Sequence, residues 1–511
     1  MVATRFGMFA GLRERSSANI GSELSGSAMV RQTKSVVPSL ASKKRDSRRV
    51  LILRFVALVA LILIPFWNIF GAVVSSIADG SQIAYLTVVP LLIAMIAVGH
   101  RTPPRGVGDA ESDWILAAIF GGLGLFLRYL MSNRFPTLSG LWQLPLVGAV
   151  LWAACTAAVL FGVRRVMQMW SLWAFALATL TPLPYLLVTA AVGGGIVAAA
   201  AVAGCIGGLA VFLAGREHPL LWRLFAGVAT TAFGVGAALI AVGGGVDRST
   251  HSLLVLVVLC AGVFPVCGFL VLLGIPSSTK ESAGQLTTPR RSPLSLAALG
   301  VGAALVLTLN QPYGVAEPPP ARARSNWATY LGWPATEKFS FITRYLGERA
   351  TFVRHAVSSL PGLPEAAVDV ITAQNLANLQ TYRDALWYPA TVPPNYRDLD
   401  LGDPGVIAGR AAATDSSLAT NAHVPDWYVV TWLWSVGNTY QQVFVVVNQT
   451  WTSKAAPPVP APLSIRATVI GPALWLVRQQ ADPATKVDPT VVTRAQQVVR
   501  LVLDAGRPWH G

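Results

Sequence analysis

The sequence predicts an integral membrane protein: an all-α bundle of about nine transmembrane helices, followed by a C-terminal α+β domain outside the cytoplasm. Its composition indicates the class first, because 53% of the 511 residues are hydrophobic and only 12% are charged. A soluble domain carries about 25% charged residues. Two patterns indicate the topology: nine long apolar stretches, and basic residues that flank every second gap between them.

Each apolar stretch is close to the roughly 17 to 25 residues that a helix needs to cross a bilayer. The second stretch is the shortest, but the alternation of basic gaps requires it. The predicted crossings are residues 55–76, 83–99, 114–131, 141–163, 169–190, 193–215, 224–246, 252–275 and 293–311.

The basic residues predict the orientation of the bundle. Residues 1–50 and the alternate gaps together hold nineteen Lys and Arg residues, whereas the opposite gaps hold only Arg134 and Arg248. Lys and Arg are retained on the cytoplasmic side during insertion. We therefore expect a multi-pass protein of the inner (plasma) membrane, with the N-terminus in the cytoplasm and the C-terminal domain outside it.

Three regions follow from this topology. Residues 1–50 are predicted to be a basic, disordered cytoplasmic tail, residues 51–311 a nine-helix transmembrane domain, and residues 317–511 an extracytoplasmic α+β domain. The net charge of +15 belongs mostly to the cytoplasmic face, since the last region has sixteen basic and fourteen acidic residues. This distribution predicts contact with the lipid bilayer and argues against a nucleic-acid partner.

The bundle offers few groups for chemistry. The central parts of its helices contain no Asp, Glu, Lys or His, which argues against an ion-coupled pump and leaves a passive pore or a lipid-handling groove open. All four cysteines lie in predicted crossings, so we expect no disulfide in the C-terminal domain and interpret them mainly as small packing residues.

Two sequence features predict local geometry in the bundle. Pro182 and Pro184 remove backbone donors from the fifth crossing, so a kink or a helix end is expected there. The freed carbonyls need other partners, and such breaks sometimes line a cavity. Gly204 and Gly208 form a G-x-x-x-G pattern, which predicts close helix packing.

In the C-terminal domain, β-branched and aromatic runs separated by a short polar turn predict a hairpin, and Asp488 with Pro489 predicts the start of a final helix. The predicted elements are helices at 337–358 and 364–387, a polar loop at 393–425, strands at 427–434, 440–448 and 463–469, and a helix from 488 to 505.

Candidate ligand groups in this domain are sparse. Asp398, Asp400 and Asp403 weakly resemble a calcium loop, but their spacing favours a solvated acidic turn. No metal and no cofactor is therefore expected. The tryptophans are interpreted mainly as core residues, with a ligand platform as the alternative; they are Trp427, Trp432, Trp434 and Trp451.

Three parts of the chain carry a family resemblance. They are the run from Ser81 to Ile93 followed by His100 and Arg101, the stretch from Gly162 to Pro184, and the later Trp-rich domain. Together they resemble the exosortase/archaeosortase family with its associated C-terminal domain. The resemblance implies an integral membrane transpeptidase that processes C-terminal sorting signals with a Cys, an Arg and a further Arg or His, in envelope sorting linked to surface polysaccharide.

The candidate catalytic residues are Cys205, Cys260, Arg248 and His251. Cys205 begins the nearest counterpart of the Cys-Ser-Gly-like motif of the family, and Cys260 follows Arg248 and His251 on one helix. Nine residues separate Cys260 from His251, which is about 13 Å along a helix and beyond hydrogen-bond reach.

Three functions stay open at this stage. The favoured hypothesis is a non-catalytic or degenerate exosortase-like assembly or sorting factor, whose outer domain binds an envelope protein or a polysaccharide-assembly partner. The alternatives are an active exosortase-like cysteine transpeptidase, and a transporter or a lipid or polysaccharide export component. Arg outnumbers Lys thirty-two to seven, which indicates a GC-rich bacterial source.

Overall fold

The computed structural model describes the chain from residue 40 to residue 507 with gaps. The described ranges are 40–100, 110–243, 250–275, 293–309, 320–390, 393–401, 408–414, 426–449, 456–478 and 487–507. Most of the predicted basic tail lies outside them, and the first helix begins at Leu40, inside the segment predicted as tail.

Six helical segments of the described chain are long and apolar enough to cross a membrane, and the number rises to eight if each of two bent helix pairs counts as one crossing. The ninth predicted crossing is a shorter apolar helix. The structure thus supports a multi-pass bundle, with fewer full-length helices than the predicted nine. The six are Gln82–Gly99, Glu111–Arg134, Leu144–Phe161, Gly195–Ala214, Leu220–Ala241 and Leu253–Gly274.

The bounds of the helices show where the long crossings are interrupted. In chain order the α-helices are α1 Leu40–Leu63, α2 Trp67–Ala78, α3 Val89–Gly99, α4 Ala110–Leu125, α5 Ser132–Arg134, α6 Pro136–Trp142, α7 Leu144–Phe161, α8 Val163–Gln168, α9 Trp170–Leu180, α10 Pro182–Ala191, α11 Gly195–Ala214, α12 Leu220–Gly243, α13 Thr250–Val258, α14 Phe264–Gly274, α15 Pro293–Thr308, α16 Trp327–Tyr330, α17 Thr343–Leu346, α18 Leu376–Thr381, α19 Gly471–Val477 and α20 Pro489–Gly506. Short 3-10 turns span Gln82–Thr87 and Ser340–Ile342, and π-helical turns span Phe126–Met131, Leu259–Val263 and Arg466–Ile470.

The fifth predicted crossing bends by 65° between α9 and α10. Thr181 is extended at the break, and Pro182 begins the next helix. The Tyr85 hydroxyl donates to the Thr179 carbonyl at 2.8 Å, and the Thr181 hydroxyl donates to the Leu177 carbonyl at 2.9 Å. The predicted kink is confirmed, and protein hydroxyls take up carbonyls that the break leaves without a helical partner.

The G-x-x-x-G pattern packs α11 against α12. A Cβ atom added at Gly204 would lie 3.5 Å from the Gly234 Cα, and one at Gly208 would lie 2.6 Å from the Gly227 carbonyl oxygen. The approach at Gly208 leaves no room for a side chain, whereas a methyl group at Gly204 would make ordinary van der Waals contact. The predicted packing role is confirmed.

Among the described residues, the connections that hold Arg164 and Arg165 and Arg216 meet at one end of the bundle, which we call the basic end. The Asp113 carboxylate accepts a hydrogen bond from the Val163 amide at 2.6 Å, and the Arg216 guanidinium donates to the Gln168 carbonyl at 3.2 Å. These two contacts place the two described Arg-containing connections and the start of α4 together at this end.

Residues 320–507 form the sheet domain, which is built on one eight-stranded sheet. The strand order is β2-β3-β4-β8-β7-β6-β5, every neighbouring pair in it is antiparallel, and β1 adds to β7 in parallel. The predicted hairpin is confirmed as β7 and β8. The strands are β1 Ala321–Arg322, β2 Ala335–Lys338, β3 Thr351–Ala356, β4 Ala366–Ala373, β5 Arg397–Asp400, β6 Ala408–Ala413, β7 Trp427–Val436 and β8 Thr439–Asn448.

Both helices predicted at the start of this domain are wrong. The first region contains β2, a short helical turn and β3, and the second contains β4 and the short α18. The Ala-rich start of β4 favours a helix locally, but pairing with strands on both sides overrides that propensity. The predicted polar loop at 393–425 likewise contains β5 and β6.

Of the two elements predicted for the C-terminal part of the domain, one is wrong and the other is confirmed. The strand predicted at 463–469 is wrong, since the π-helical turn at Arg466–Ile470 leads directly into α19. Its alternating apolar and polar residues favour a strand, but contact with α6 holds the segment as a helix, since the Trp142 indole donates to the Thr468 carbonyl at 2.8 Å. The final helix is confirmed as α20, with the Asp488 carboxylate accepting from the Thr490 amide at 2.7 Å.

The two faces of the sheet have different covers. Helix α20 packs on one face, which presents Val430, Trp432 and Trp434 from β7. The other face presents Trp427 and Val429 and is buried in the same apolar cluster as the bundle. The tryptophans are core residues as predicted, except for Trp451, which lies outside the described residues.

A buried ion pair lies on the face of the sheet that meets the bundle. Arg354 on β3 and Asp369 on β4 are register partners, joined by two hydrogen bonds of 2.7 Å. The guanidinium also donates to the carbonyls of Pro457 and Pro458, and the Tyr388 hydroxyl donates to Asp369 at 2.8 Å. Burial raises the pKa of the Asp369 carboxyl, and the Arg354 guanidinium and the Tyr388 hydroxyl oppose that rise.

Replacing Arg354 by Met should lower the free energy of unfolding by about 3 to 5 kcal/mol, because the Asp369 carboxylate would stay buried without its counter-ion. Denaturant unfolding of the purified protein in detergent, followed by tryptophan fluorescence, measures this loss. Arg507→Met is the control, since its ion pair with Asp504 is exposed and should change stability by less than about 1 kcal/mol. Equal effects of the two substitutions would contradict this account.

Candidate functional site

The two candidate thiols both belong to helices of the bundle, but one is exposed and the other is buried. Cys205 is exposed on α11, whereas Cys260 is buried in the π-helical turn and donates its Sγ proton to the Gly234 carbonyl at 3.1 Å. Arg248 and the side chain of His251 fall outside the described part of the chain. The described residues therefore place Cys260 in a packing contact and give Cys205 no neighbouring base.

Cys260 and Cys267 are seven residues apart, a spacing that predicts one common face on a regular α-helix, and this prediction is wrong. Cys260 is buried and Cys267 is exposed. The π-helical turn at Leu259–Val263 lies between them, and the wider turn rotates the residues after it relative to a regular α-helix.

The aspartates that resemble a calcium loop lie on an edge strand. Asp398 and Asp400 belong to β5, with Asp398 opposite Arg410 on β6, and Asp403 lies outside the described residues. The acidic segment is therefore a strand rather than the expected turn. Within the described ranges, no group of three or more His, Cys, Asp or Glu side chains could hold a metal ion.

The structure instead brings together a set of residues that the sequence did not single out, where the sheet domain meets the bundle end opposite the basic end. We call this contact the docking interface. Asn375 donates to the carbonyls of Asp79 and Gly80 at 2.9 and 3.1 Å, and its own carbonyl oxygen caps α18. The hydroxyls of Ser81 and Thr381 are hydrogen-bonded at 2.8 Å. These contacts attach α18 to the connection between α2 and α3.

A second connection is held in the same way. Thr137 on α6 donates its amide to the Asn395 side chain at 3.4 Å, and its hydroxyl accepts from the Tyr396 amide at 2.7 Å. The Asn395 side chain also donates to the Arg134 carbonyl at 3.2 Å. Backbone groups at the ends of two crossings thus find their partners in the sheet domain.

The apolar part of the docking interface is aromatic. Tyr85 and Tyr185 stack with ring centroids 3.9 Å apart on the bundle side, in the same buried cluster as Ile342 and Tyr345 of the sheet domain. Behind them lies an aromatic layer on the sheet, with ring contacts of 5.3 to 6.4 Å. Its members are Phe339, Phe341, Tyr345, Phe352, Tyr382, Trp387, Tyr388, Trp427 and Phe444.

Two tyrosines in this layer differ in their hydrogen bonds. The Tyr345 hydroxyl donates to the Leu463 carbonyl at 3.0 Å, whereas the buried Tyr382 hydroxyl has no partner among the described residues. Burial raises the pKa of the Tyr382 phenol, and the nearby Tyr345 and Tyr185 add to that rise. The phenol is therefore neutral at physiological pH and cannot serve as a base.

A glycine run makes the closest backbone contact in the docking interface. Gly193, Gly194 and Gly195 join α10 to α11, and all three have a positive φ. A Cβ atom at Gly194 would overlap the backbone of Arg344 on α17. Glycine is required there both by its conformation and by the approach of the sheet domain.

The docking interface attaches the sheet domain to the bundle and does not bring together a set of reactive groups among the described residues. The polar contacts given above join amides, hydroxyls and backbone carbonyls. The Gly-Gly-Gly run is a local signal for a tight connection, but it does not identify Arg344 as the partner of Gly194. Arg354 and Asp369 were placed on predicted helices, which hid their cross-strand pairing within the sheet domain.

Comparison with known proteins gives no match: no family model, no curated protein and no solved structure is similar to this chain. The geometry of the chain itself is therefore the basis for its functional interpretation.

Replacing Gly194 by Ala should loosen the docking interface, because the new methyl group would overlap Arg344. Gly195→Ala is a matched control with nearly the same φ, +77° against +76°, and no atom within 4 Å of the added Cβ. Both substitutions carry a conformational cost of about 1 to 3 kcal/mol because of the positive φ, and the overlap with Arg344 is an additional cost at Gly194 alone. Hydrogen–deuterium exchange at Gln82, whose amide donates to Asn378, should be faster in Gly194→Ala alone. Equal exchange in both variants would show that Gly194 does not support docking.

Proposed function

We propose that this chain is a multi-pass protein of the bacterial cell envelope that acts as a non-catalytic, exosortase-like assembly or sorting factor. Its sheet domain lies outside the cytoplasm and binds an envelope protein or a polysaccharide-assembly partner. The observation that carries this proposal is the docking interface, which fixes a folded domain to one end of a membrane bundle.

The position of the docking interface supports the proposed sidedness. The sheet domain contacts the connections at Asp79–Ser81, Arg134–Trp142 and Gly193–Gly195. The only Lys or Arg in these gaps is Arg134, whereas the described connections that hold Arg164, Arg165 and Arg216 lie at the other end. Since basic connections are retained in the cytoplasm, the sheet domain belongs on the opposite side.

The free edge of the sheet supports a binding role. Strand β2 lies at one end of the strand order, and all four of its residues are exposed. An edge strand offers unpaired backbone groups to an extended segment of another protein. A sorting or assembly partner with such a segment could pair with β2 while the opposite face of the sheet stays docked.

The environment of the thiols supports a non-catalytic role. A reactive cysteine needs an electropositive, partly exposed setting that stabilises the thiolate. Cys260 is buried and hydrogen-bonded to a backbone carbonyl, and Cys205 lies among Ala and Gly residues of α11. Neither thiol lies in the docking interface.

The proposal predicts that cysteine is dispensable. In cells that lack the protein, a Cys205→Ala/Cys260→Ala variant should restore the wild-type content of envelope proteins and surface polysaccharide, measured by proteomics and sugar analysis. Gly194→Ala should fail to restore it, and Gly195→Ala should restore more of it. Thermal unfolding in detergent checks that each variant is folded. A folded double-cysteine variant without activity would support the transpeptidase alternative.

The proposed sidedness has its own test. Leu501 is exposed on α20, on the face of the sheet domain away from the bundle. In a protein whose exposed Cys205 and Cys267 are Ala, a Leu501→Cys variant should react in intact cells with a maleimide that cannot cross membranes, and the same protein without Leu501→Cys gives the background. Labelling that appears only after the cells are opened would place the sheet domain in the cytoplasm and would overturn this topology.

A further inference from the structure

The segment of residues 465–477 is a single amphipathic helical unit that we call the surface helix. It comprises the π-helical turn at Arg466–Ile470 and α19. At about 1.5 Å per residue it is roughly 20 Å long, too short to cross a bilayer core of about 30 Å.

One side of the surface helix is fixed to the bundle. Thr468, Pro472 and Trp475 are buried, and they repeat at the spacing of one helix face. The Trp142 indole on α6 donates to the Thr468 carbonyl at 2.8 Å, and the Trp475 ring meets the Phe135 ring edge-on at 5.4 Å. These contacts set both the position and the rotation of the surface helix.

The opposite side of the surface helix is apolar and exposed. Ile470, Leu474 and Val477 are 49%, 51% and 79% exposed and repeat at the same spacing. A soluble domain gains nothing from three large aliphatic side chains aligned in water, because each buried side chain of this size contributes about 1.5 to 3 kcal/mol.

The neighbours of the surface helix identify what covers this side. Helix α6 lies between the membrane-spanning segments Glu111–Arg134 and Leu144–Phe161, so the surface helix lies at the level where these crossings end. Exposed arginines, Arg466 and Arg478, bound the helix at both ends. Aliphatic side chains between basic ends match the acyl chains and phosphates of a lipid leaflet.

We propose that the surface helix lies in the headgroup region of the bilayer, with Ile470, Leu474 and Val477 inserted between the lipids and with Arg466 and Arg478 against the phosphates. The sheet domain is then attached to the membrane directly, in addition to its attachment to the bundle. The partner of this surface is a phospholipid leaflet.

A pair of exposed leucines in the sheet domain provides a matched test. Leu474 on the surface helix is 51% exposed and Leu501 on α20 is 48% exposed. Each is replaced by Cys in a protein whose exposed Cys205 and Cys267 are Ala, and is labelled with an environment-sensitive fluorophore in nanodiscs. The protein without an engineered Cys gives the background labelling. We expect a blue-shifted emission at Leu474 that phospholipids with a doxyl group near the headgroup quench, and emission at Leu501 that only aqueous iodide quenches.

Photolabelling of the unsubstituted protein tests the same proposal without any new cysteine. Trypsin cleaves after Arg466 and Arg478, so residues 467–478 form one peptide, and residues 501–511 form the peptide of α20. A phosphatidylcholine with a diazirine in its acyl chain should modify the first peptide and leave the second unmodified.

Two results would overturn the proposal. Iodide quenching of the Leu474 probe as strong as that at Leu501 would place the surface helix in water. A Leu474 probe that neither iodide nor doxyl lipid reaches, with no lipid adduct on residues 467–478, would show that protein covers this surface.

Discussion

The ion pair between Arg354 and Asp369 is the constraint on which the sheet domain depends. It is buried, it joins two neighbouring strands, and the same guanidinium holds the Pro457 and Pro458 carbonyls. Replacing such a pair by apolar residues is often neutral, so its contribution is to fix geometry more than to add stability. Here it holds the segment before the surface helix against β3 and β4.

A series of contacts connects this ion pair to the bundle. The chain from Pro457 leads to Leu463, whose carbonyl accepts the Tyr345 hydroxyl, and then to Thr468, whose carbonyl accepts the Trp142 indole. The aromatic layer fills the space between the sheet and the stacked Tyr85 and Tyr185. The tight connections of the bundle, with their backbone groups turned toward the sheet domain, complete the contact.

The parts of this fold that the sequence predicted are those with one dominant local signal. The apolar stretches, the Pro182 break, the β7–β8 hairpin and the α20 cap each follow from hydrophobicity or backbone chemistry. The parts that it mispredicted depend on distant partners. Strand β4 is Ala-rich, and only β3 and β8 determine its conformation, while residues 463–469 alternate as a strand does but are fixed as a helix by α6. The docking interface could not be predicted, because its pairs join residues far apart in the chain.

That separation has a consequence for biosynthesis. The Asn375 side chain and the Asp79 carbonyl are 296 residues apart, and the bundle precedes the sheet domain in the chain. The crossings are therefore synthesised and inserted first. The side of the bundle that carries Tyr85 and Tyr185 stays exposed until the last third of the polypeptide has been made. Long-range contacts of this kind form late, because closing a large loop is entropically costly. During the interval between insertion of the crossings and closure of the docking interface, an unfinished copy differs from a complete one by the aromatic surface that it exposes.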